Sequence, residues 1–220
     1  MKVNCIIPAK GTSERLKNKN LLEISNKSLV RLACEKLLKS KYIDNVYLDT
    51  ESDAIISQVE DLRREGLKVL RRPVSLANNS IGANEMMIYG LHSVSECDIL
   101  LQTFSTSPTL QVSTIDKCLE MFIDRINEFD SFFTVSKVQE YFWKNDEPDN
   151  FSIDNLPNSF ELDPLMMETH GLYGITTEAL LECKRRVGHK PLLIEIAKTE
   201  SIDIDNHEDF MIAEALINGL

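Results

Sequence analysis

The chain has 220 residues, of which 43% are hydrophobic and 27% charged, and its formal net charge is −11. This composition is that of a globular protein able to bury a sizeable core, and the length predicts one large domain or two small ones. The acidic balance argues against a nucleic-acid partner, because phosphate contacts need a basic face. No apolar run reaches the length of about 18 residues that a membrane-spanning helix needs, so no membrane partner is expected.

The N-terminus and the cysteines both favour a cytoplasmic protein. Residues 1–4 lead directly into a strand pattern, without a long apolar segment or a small-residue cleavage site. The five cysteines are widely spaced and form no CxxC or Cys/His metal pattern. We interpret them as reduced core residues in a reducing compartment.

Strands and helices alternate over the first 135 residues. Such alternation predicts a mainly parallel sheet with helices on both faces, and ligands in such sheets bind beyond the carboxyl ends of the strands. The loops expected there are 8–20, 49–51 with 72–84, and 102–108. The first predicted strand ends at Pro8, and the others span 45–48, 67–70, 98–102 and 131–135. The predicted helices run from Ser28 to Leu38, from Ser52 to Gly66, over 85–94, and from Ser113 to Ile126. The expected N-caps are Ser28, Ser52 and Ser113.

The alternation stops between residues 136 and 170, which hold Trp143 and three of the seven prolines. This segment is predicted to be a hairpin-like insertion or arm. Its aromatic residues at 141–143 are suited either to packing on a partner subunit or to covering the core of their own subunit. Further along, the pattern predicts a returning strand at 168–175, a helix at 177–185, strands at 191–197 and 201–205, and a final helix from about Asn206, so that residues 1–220 form a single domain.

A basic loop follows the first strand. Four Lys or Arg residues stand against Glu14 between positions 10 and 19, a local charge of +3 in an acidic protein. Gly11 permits close approach of backbone to phosphate, Ser13 can donate a hydrogen bond, and Lys10 and Lys19 supply charge. A positive loop at the carboxyl end of a strand is suited to an anion, although a solvated basic turn has the same composition.

Asp203 and Asp205 form a second candidate site. On a strand, residues two apart share a face, so both carboxylates would project together while Ile202 and Ile204 point into the core. Two neighbouring carboxylates repel each other unless a cation lies between them, and Mg²⁺ is typically held by a few carboxylates and substrate phosphates. The pair therefore indicates a metal site, or alternatively aspartates at a sheet edge and a helix N-cap.

Five motifs occur in the same order as in a known family and span almost the whole chain. Residues 6–13 read IIPAKGTS and residues 19–21 read KNL. The other motifs are RPVSLA at 72–77, LLQTFSTSP at 100–108, HGLY at 170–173, and SIDID at 201–205 with Asp209-Phe210. Together they resemble the IIPARGGS…KNL, RPxxLA, LLQPTSP, NGAIY and IDID…DF motifs of the acylneuraminate (CMP-sialic acid synthetase-like) cytidylyltransferases.

The resemblance implies an α/β, Rossmann-like nucleotidyltransferase fold and a homodimer formed through residues 136–170. It also implies Mg²⁺-dependent transfer of CMP from CTP to an acidic or unusual, nonulosonate-like sugar, with release of pyrophosphate, for glycan biosynthesis. By position, the resemblance implies that the nucleotide is bound by Pro8, Ala9, Lys10, Gly11, Thr12, Ser13, Lys19, Asn20, Arg72 and Gln102. The implied catalytic residues are Lys10, Lys19, Asp203 and Asp205, of which Asp203 and Asp205 would bind Mg²⁺. The implied acceptor-binding residues are Ser107, Glu168 and His170.

Several positions depart from the family pattern. Lys10 replaces an arginine, which keeps the charge but loses the bidentate fork. The segment after Gln102 is two residues longer than in the family motif, so the loop must bulge. Glu51 stands where the family has aspartate. Glu168 stands where a cation is expected and is a poor partner for a sugar carboxylate, so the resemblance supports CTP as donor more strongly than sialic acid as acceptor.

Two alternative functions remain open at this point. One is a related transferase that uses another nucleotide donor or a non-sialic acceptor such as a phosphonate. The other is a catalytically degenerate, nucleotide-binding dimer, which the altered region near residue 170 favours and the aspartate pair and basic loop oppose. His170 itself is suited to acting as a base, contacting the substrate, or simply making structural hydrogen bonds.

Overall fold

The computed structural model describes residues 1–78 and 80–219. Asn79, within the predicted 72–84 loop, and Leu220, at the end of the predicted domain, lie outside them. The strands are β1 Val3–Pro8, β2 Glu23–Ile24, β3 Lys27–Ser28, β4 Asn45–Thr50, β5 Lys68–Arg71, β6 Ile99–Thr103, β7 Ser131–Val138, β8 Trp143–Lys144, β9 Glu147–Pro148, β10 Leu165–Thr176 and β11 Pro191–Glu195. The helices are α1 Leu29–Leu37, α2 Asp53–Ser57, α3 Ala83–Ser93, α4 Val112–Asp124, α5 Thr177–Cys183 and α6 His207–Asn218.

Seven of these strands form the central sheet, in the order β11-β7-β10-β6-β1-β4-β5. All neighbouring pairs are parallel except those of β10, which runs antiparallel to both β6 and β7. The remaining strands form two short hairpins, β2-β3 and β8-β9. This mainly parallel sheet flanked by helices confirms the predicted α/β class.

β1 shows why helices cover both faces of the sheet. Its alternating side chains point to opposite faces, and residues 3–7 are all buried. Cys5 and Ile7 pack in one core with side chains of α1, α2 and α4, whereas Ile6 packs in a second core with α3 and α5. A third cluster joins α6 to the β2-β3 hairpin and the start of α1, and Ile204 is buried within it.

Several predicted helix boundaries differ from the structure: α3 begins at Ala83 rather than at residue 85, and α5 ends at Cys183 rather than at residue 185. The helix expected between Ser52 and Gly66 is divided into α2 and a 3₁₀ turn at Glu60–Glu65, because Val59 leaves the α-helical region at φ −133° and is buried in the core. The expected cap by Ser113 is wrong: α4 begins at Val112, and its N-cap is Gln111, two residues before Ser113. Glu200, from far along the chain, accepts hydrogen bonds from the backbone N–H of Gln111 and the Thr114 hydroxyl and so satisfies this helix start.

The segment 201–205 is not a strand, contrary to prediction. After β11 the chain turns through a 3₁₀ helix at Lys198–Glu200 and then passes beside the loop that follows β6. The backbone N–H of Ile204 donates to the carbonyl of Thr106 at 2.8 Å, and the Ile204 side chain is fully buried. Ile202, expected in the core with Ile204, is only partly buried. Asn206 is the N-cap of α6, which begins close to the predicted position.

Residues 139–164 form an arm between β7 and β10. It contains the β8-β9 hairpin and a 3₁₀ turn at Ser159–Glu161. Tyr141 and Trp143 both make edge contacts with the Phe151 ring, so part of its aromatic surface packs within the arm itself. The large apolar side chains exposed on the arm and on the adjoining part of β10 are Trp143, Ile153, Leu156, Phe160, Leu165, Met166 and Met167.

Two sequence expectations concern the chain as a whole. All five cysteines are free, and four of them are buried, as predicted for core residues. Within the described residues, no helix has the length and apolar character needed to cross a membrane.

Candidate active site

A cavity of about 340 Å³ opens at the carboxyl ends of β1, β5 and β6. This is the sheet edge at which ligands of parallel α/β folds bind. Apolar side chains form one wall, including Leu76, Ile81, Met86 and Phe104. Of the residues predicted to bind the nucleotide, those in the lining are Pro8, Lys10, Lys19, Asn20, Arg72 and Gln102.

The other four predicted nucleotide-binding residues lie outside the lining of this cavity. Ala9 is 1% exposed, and its N–H donates to the carbonyl of Asp49. The N–H of Gly11 donates to Glu51 Oε1 at 2.6 Å, and a Cβ at Gly11 would lie 2.9 Å from Ser52 Cβ. Ala9 and Gly11 thus hold the loop against the end of β4, and Thr12 and Ser13 follow outside the cavity.

Asn20 joins the two loops that border the cavity. Its side-chain amide donates to the carbonyl of Lys10 at 2.8 Å, and its side-chain oxygen accepts from the Ser105 hydroxyl at 2.5 Å. The predicted bulge after Gln102 is a turn in which the N–H of Ser107 donates to the carbonyl of Phe104. One amide side chain therefore fixes the basic loop relative to the longer loop.

Lys36 supports the longer loop from below. Its ammonium group donates to the carbonyls of Ser107 and Pro108 at 3.2 and 3.0 Å. Burial lowers the pKa of Lys36 to about 8. Ser107, predicted to bind the acceptor, is itself 3% exposed, and its hydroxyl has no hydrogen-bond partner within the described residues. Ser107 is thus buried within the loop and lies outside the cavity lining.

Arg72 and Asp49 form a buried ion pair at the base of the cavity. Their side chains are 5% and 1% exposed. The guanidinium donates to Asp49 Oδ2 from both Nη2 and Nε, at 2.7 and 3.1 Å, and from Nη2 to the Asp49 carbonyl at 3.0 Å. Burial raises the pKa of the Asp49 carboxyl, and the hydrogen bonds from Arg72 oppose this rise. Arg72 therefore places a positive charge in the cavity lining while it pairs with the Asp49 carboxylate, which would be costly to bury without a partner.

Gln102 lies in the cavity lining at the end of β6. It is 1% exposed, and its side-chain oxygen has no hydrogen-bond partner among the described residues. A buried acceptor without a partner costs free energy that a donor on a ligand would recover. Gln102 is thus suited to accept a hydrogen bond from a molecule bound in the cavity.

The two predicted metal-binding aspartates have different surroundings. Asp205 accepts from Lys19 at 3.1 Å and from Arg15 at 2.5 Å, and Lys19 also donates to the carbonyl of Ile204. Burial opposes the charge of Asp205, but the two cations outweigh it, so the pKa of this carboxyl lies below its ordinary value. The pair between Lys19 and Asp205 brings the basic loop and the acidic segment together, as the sequence predicts.

Asp203 lies on the side of this segment nearer to β10. Burial raises the pKa of its carboxyl, the charge of Asp205 adds to the rise, and a hydrogen bond with Thr106 opposes it. His170 Nδ1 lies 3.6 Å from Asp203 Oδ2. Asp203 is therefore a carboxylate whose charge the protein itself satisfies poorly, which is the situation that a bound cation would relieve.

His170 occupies a distortion in β10. The pairing with β7 shifts register between Glu168 and Tyr173, and His170 has φ 57°, in the left-handed region. The buried hydroxyls of Thr134 and Thr169 hydrogen bond to each other across this distortion. A β-bulge re-aims side chains, and here it leaves the His170 ring 55% exposed between Asp203 and Glu168.

Glu168 has a cation partner that the sequence analysis missed. Arg186, from the loop after α5, donates from Nη2 to Glu168 Oε1 at 3.0 Å. The same carboxylate oxygen accepts from the Tyr173 hydroxyl, and the guanidinium carbon lies 3.8 Å from the centre of the Tyr173 ring. The cation expected before His170 is thus supplied from a later segment, and no motif in the sequence marks it.

A larger, open cleft of about 740 Å³ lies at the opposite edge of the sheet. It is bordered by the starts of β6 and β7 and by the first residues of α5. None of the predicted site residues lines it. Of the predicted site residues, Lys10 and Lys19 of the basic loop, together with Arg72 and Gln102, line the smaller cavity, whereas Glu168, His170, Asp203 and Asp205 lie outside its lining.

Comparisons with known proteins identify the family of this chain. A family model described as cytidylyltransferase matches residues 4–168. Across 97% of both sequences, the chain is 24% identical to 3-deoxy-manno-octulosonate cytidylyltransferase of Thermodesulfovibrio yellowstonii. It is also 24% identical to N-acylneuraminate cytidylyltransferase of Escherichia coli, over 96% of this chain, and spans about half the length of that relative (51%).

A solved structure of CMP:2-keto-3-deoxy-manno-octonic acid synthetase complexed with CTP has a similar fold. The TM-score is 0.69 at 14% sequence identity, and the match covers 99% of each chain. The motifs that follow β1, β5 and β6 border the cavity, and the family model covers both the basic loop and these strands. This chain therefore belongs to the cytidylyltransferase family and is a nucleotidyltransferase.

Proposed function

We propose that this enzyme transfers CMP from CTP to the anomeric hydroxyl of an acidic sugar, with Mg²⁺ and with release of pyrophosphate. The acceptor class is the one that the relatives' names share, comprising 3-deoxy-manno-octulosonate, N-acylneuraminate and pseudaminic acid. The family supports the donor and the reaction type. The residues in and beside the cavity support separate positions for the nucleoside, the triphosphate and the metal ion.

The unpartnered side-chain oxygen of Gln102 is the observation that most strongly supports a ligand containing a nucleobase. Gln102 lines the cavity, and its buried side-chain oxygen has no partner in the described residues. Apolar side chains such as Leu76 and Met86 surround the same cavity. A nucleoside supplies both a flat apolar surface and N–H or O–H donors, whereas a free phosphate supplies no apolar surface at all.

The basic loop is suited to the triphosphate. Lys10 and Lys19 line the cavity from one side, and the Arg72 guanidinium does so from its base. In the reaction, the acceptor oxygen forms a bond to the α-phosphorus, the bond from that phosphorus to the β-phosphate oxygen breaks, and the hydroxyl proton passes to solvent. Negative charge accumulates on the departing pyrophosphate, and cations already in place stabilise it.

Asp203 and Asp205 fit a magnesium site that the substrate completes. Within the described residues, no group of three or more His, Cys, Asp and Glu side chains could hold a metal by itself. Mg²⁺ is usually bound by one or two carboxylates together with substrate phosphates and water, so two aspartates beside the basic loop are sufficient. When bound, the ion would polarise phosphate oxygens and hold the phosphates in line for displacement.

Pyrophosphate release tests this function directly. We expect CTP, Mg²⁺ and at least one of the three sugar acids to yield pyrophosphate, and we expect EDTA to abolish the reaction. CTP at 100 times its Kd should stabilise the protein by about 2.7 kcal/mol, which a thermal-shift assay detects, and UTP and GTP should have much smaller effects.

Other outcomes identify the alternatives. A larger thermal shift with UTP or GTP would indicate a different donor. A CTP-induced shift without turnover of any acceptor would indicate a catalytically degenerate nucleotide-binding protein. The absence of both binding and turnover would contradict the proposed function as a whole.

The arm is proposed to form a homodimer interface. It exposes apolar side chains, including Ile153 at 64%, Leu156 at 62% and Phe160 at 73%. Exposed apolar surface of this kind is typical of interaction sites. We expect light scattering to give a dimer for the wild type and a monomer for the Leu156→Asp/Phe160→Asp double variant, because two buried charges would oppose the interface.

Met211→Asp is the matched control for the arm variant. Met211 is 57% exposed on α6, outside the arm, and the same change there should leave the dimer intact. A monomeric wild type at micromolar concentration, or equal dissociation by the control, would contradict an interface at the arm.

A further inference from the structure

Arg186 lies at the junction of the nucleotide cavity and the β10 distortion. Its backbone N–H donates to the side-chain oxygen of Asn84 at 3.0 Å, next to Ala83 in the cavity lining. Its guanidinium carbon lies 3.8 Å from the centre of the Tyr173 ring, and Nη2 donates to Glu168. The Arg186 side chain is 20% exposed, so it is largely withdrawn from water but not closed off.

Carboxylates dominate the surroundings of Arg186. Glu168 lies 3.9 Å from His170 Nε2, and Asp203 lies 3.6 Å from the other nitrogen of the same ring. An acidic acceptor bound here would be repelled by these carboxylates, because like charges at short range are costly in a partly buried site. A carboxylate-bearing substrate therefore requires a cation on this side of the site, and Arg186 provides one.

The packing of Arg186 suits exchange of one carboxylate for another. The Tyr173 ring lies against the guanidinium, and a planar guanidinium can donate two parallel hydrogen bonds to a carboxylate. In the structure only Nη2 is engaged by Glu168. Glu168 is 35% exposed and also accepts from the Tyr173 hydroxyl, so it retains a partner when its contact with Arg186 is lost.

We propose that Arg186 is a specificity-determining residue that binds the carboxylate of the sugar acceptor in place of Glu168. The inference rests on the proposed function and assigns its acceptor class to one side chain. A sugar acid displaces Glu168 with a charge of the same sign and shape. A neutral sugar leaves the internal pair intact and gains nothing from the guanidinium.

Steady-state kinetics of Arg186→Gln, Arg186→Lys and Arg185→Gln test this assignment. Arg185 is the exposed neighbour whose guanidinium contacts His189, so its substitution is the matched control. The acceptor used is whichever sugar acid the wild type turns over, together with its carboxamide analogue. Melting temperatures of all four proteins are measured so that unfolding is recognised.

We expect Arg186→Gln to raise the acceptor KM about 10- to 100-fold, the range for loss of a charge-assisted hydrogen bond. The KM for CTP should change less than about twofold, since a change confined to the acceptor side leaves nucleotide binding intact. Arg186→Lys should give an intermediate acceptor KM, because it keeps the charge and loses the fork. The preference of the wild type for the acid over the carboxamide should disappear in Arg186→Gln and persist in Arg185→Gln.

Different results would contradict the proposed function and the proposed role of Arg186. If the wild type turns over no sugar acid, the proposed function and the role of Arg186 both fall. If the wild type turns over a sugar acid and Arg186→Gln keeps its preference for the acid over the carboxamide, only the role of Arg186 falls. A rise in both KM values together, with Arg186→Lys behaving like Arg186→Gln, would indicate a structural role and likewise overturn the assignment.

Discussion

Asp203→Asn is expected to lower kcat at least about 100-fold, the typical cost of removing one electrostatic contact to a transition state. The substitution keeps the size and shape of the side chain but removes the charge that would bind Mg²⁺ beside the phosphates. Folding should be preserved, because burial already disfavours the charge of Asp203. Pyrophosphate release and a thermal melt, measured on the same preparation, check both parts of the prediction.

Asp154→Asn is the control for this experiment. Asp154 is exposed on the arm, far along the chain from the acidic segment, and its substitution should leave kcat unchanged. If Asp203→Asn retained wild-type turnover, Asp203 would not be a metal ligand or a catalytic residue. A large fall in melting temperature would instead show that the carboxylate stabilises the fold.

Arg72→Met is expected to lower the free energy of unfolding by about 3–5 kcal/mol, because it leaves the Asp49 carboxylate buried without its partner. Asp49 is 1% exposed, so water cannot replace the guanidinium. For a chain of this size the loss corresponds to a fall in melting temperature of roughly 6–20 °C. The same variant should also lose the CTP-induced thermal shift, because Arg72 is part of the cavity lining.

Two further variants separate stability from binding. Arg71→Met removes the neighbouring arginine, whose partner Asp53 is 86% exposed, and should cost no more than about 1 kcal/mol. The double variant Arg72→Met/Asp49→Asn removes both charges and should recover part of the lost stability, but not the CTP shift. Full recovery of that shift would contradict a role for Arg72 in nucleotide binding.

The sheet and most helices could be predicted from sequence because their signals are local. Largely apolar runs such as residues 3–7 indicate a strand covered on both faces, and β1 is buried as expected. The Ile-Asp alternation at 201–205 has the same local signature as a strand. It forms none, because a strand needs a ladder of backbone hydrogen bonds, and within the described residues the one backbone bond from this segment to the loop after β6 is made by Ile204.

The candidate site was predictable where one short segment carries the chemistry and unpredictable where two distant segments meet. Lys10, Lys19 and Gln102 follow directly from motifs and lie in the cavity lining. Arg186 is 18 positions from Glu168 in sequence, and nothing in its own neighbourhood indicates that it pairs with it. The same limit applies to Glu200, which satisfies the start of α4 although 89 residues separate it from Gln111.

The hydrogen bonds of Asn20 affect the entropy cost of nucleotide binding. Because its amide is bonded to Lys10 on one side and Ser105 on the other, the two loops are already aligned before any ligand arrives. The conformational entropy of ordering them is lost during folding rather than during binding, so more of the interaction energy with CTP remains as affinity. Preorganisation of the donor site therefore depends on a side chain whose two hydrogen bonds are both made to the protein's own loops.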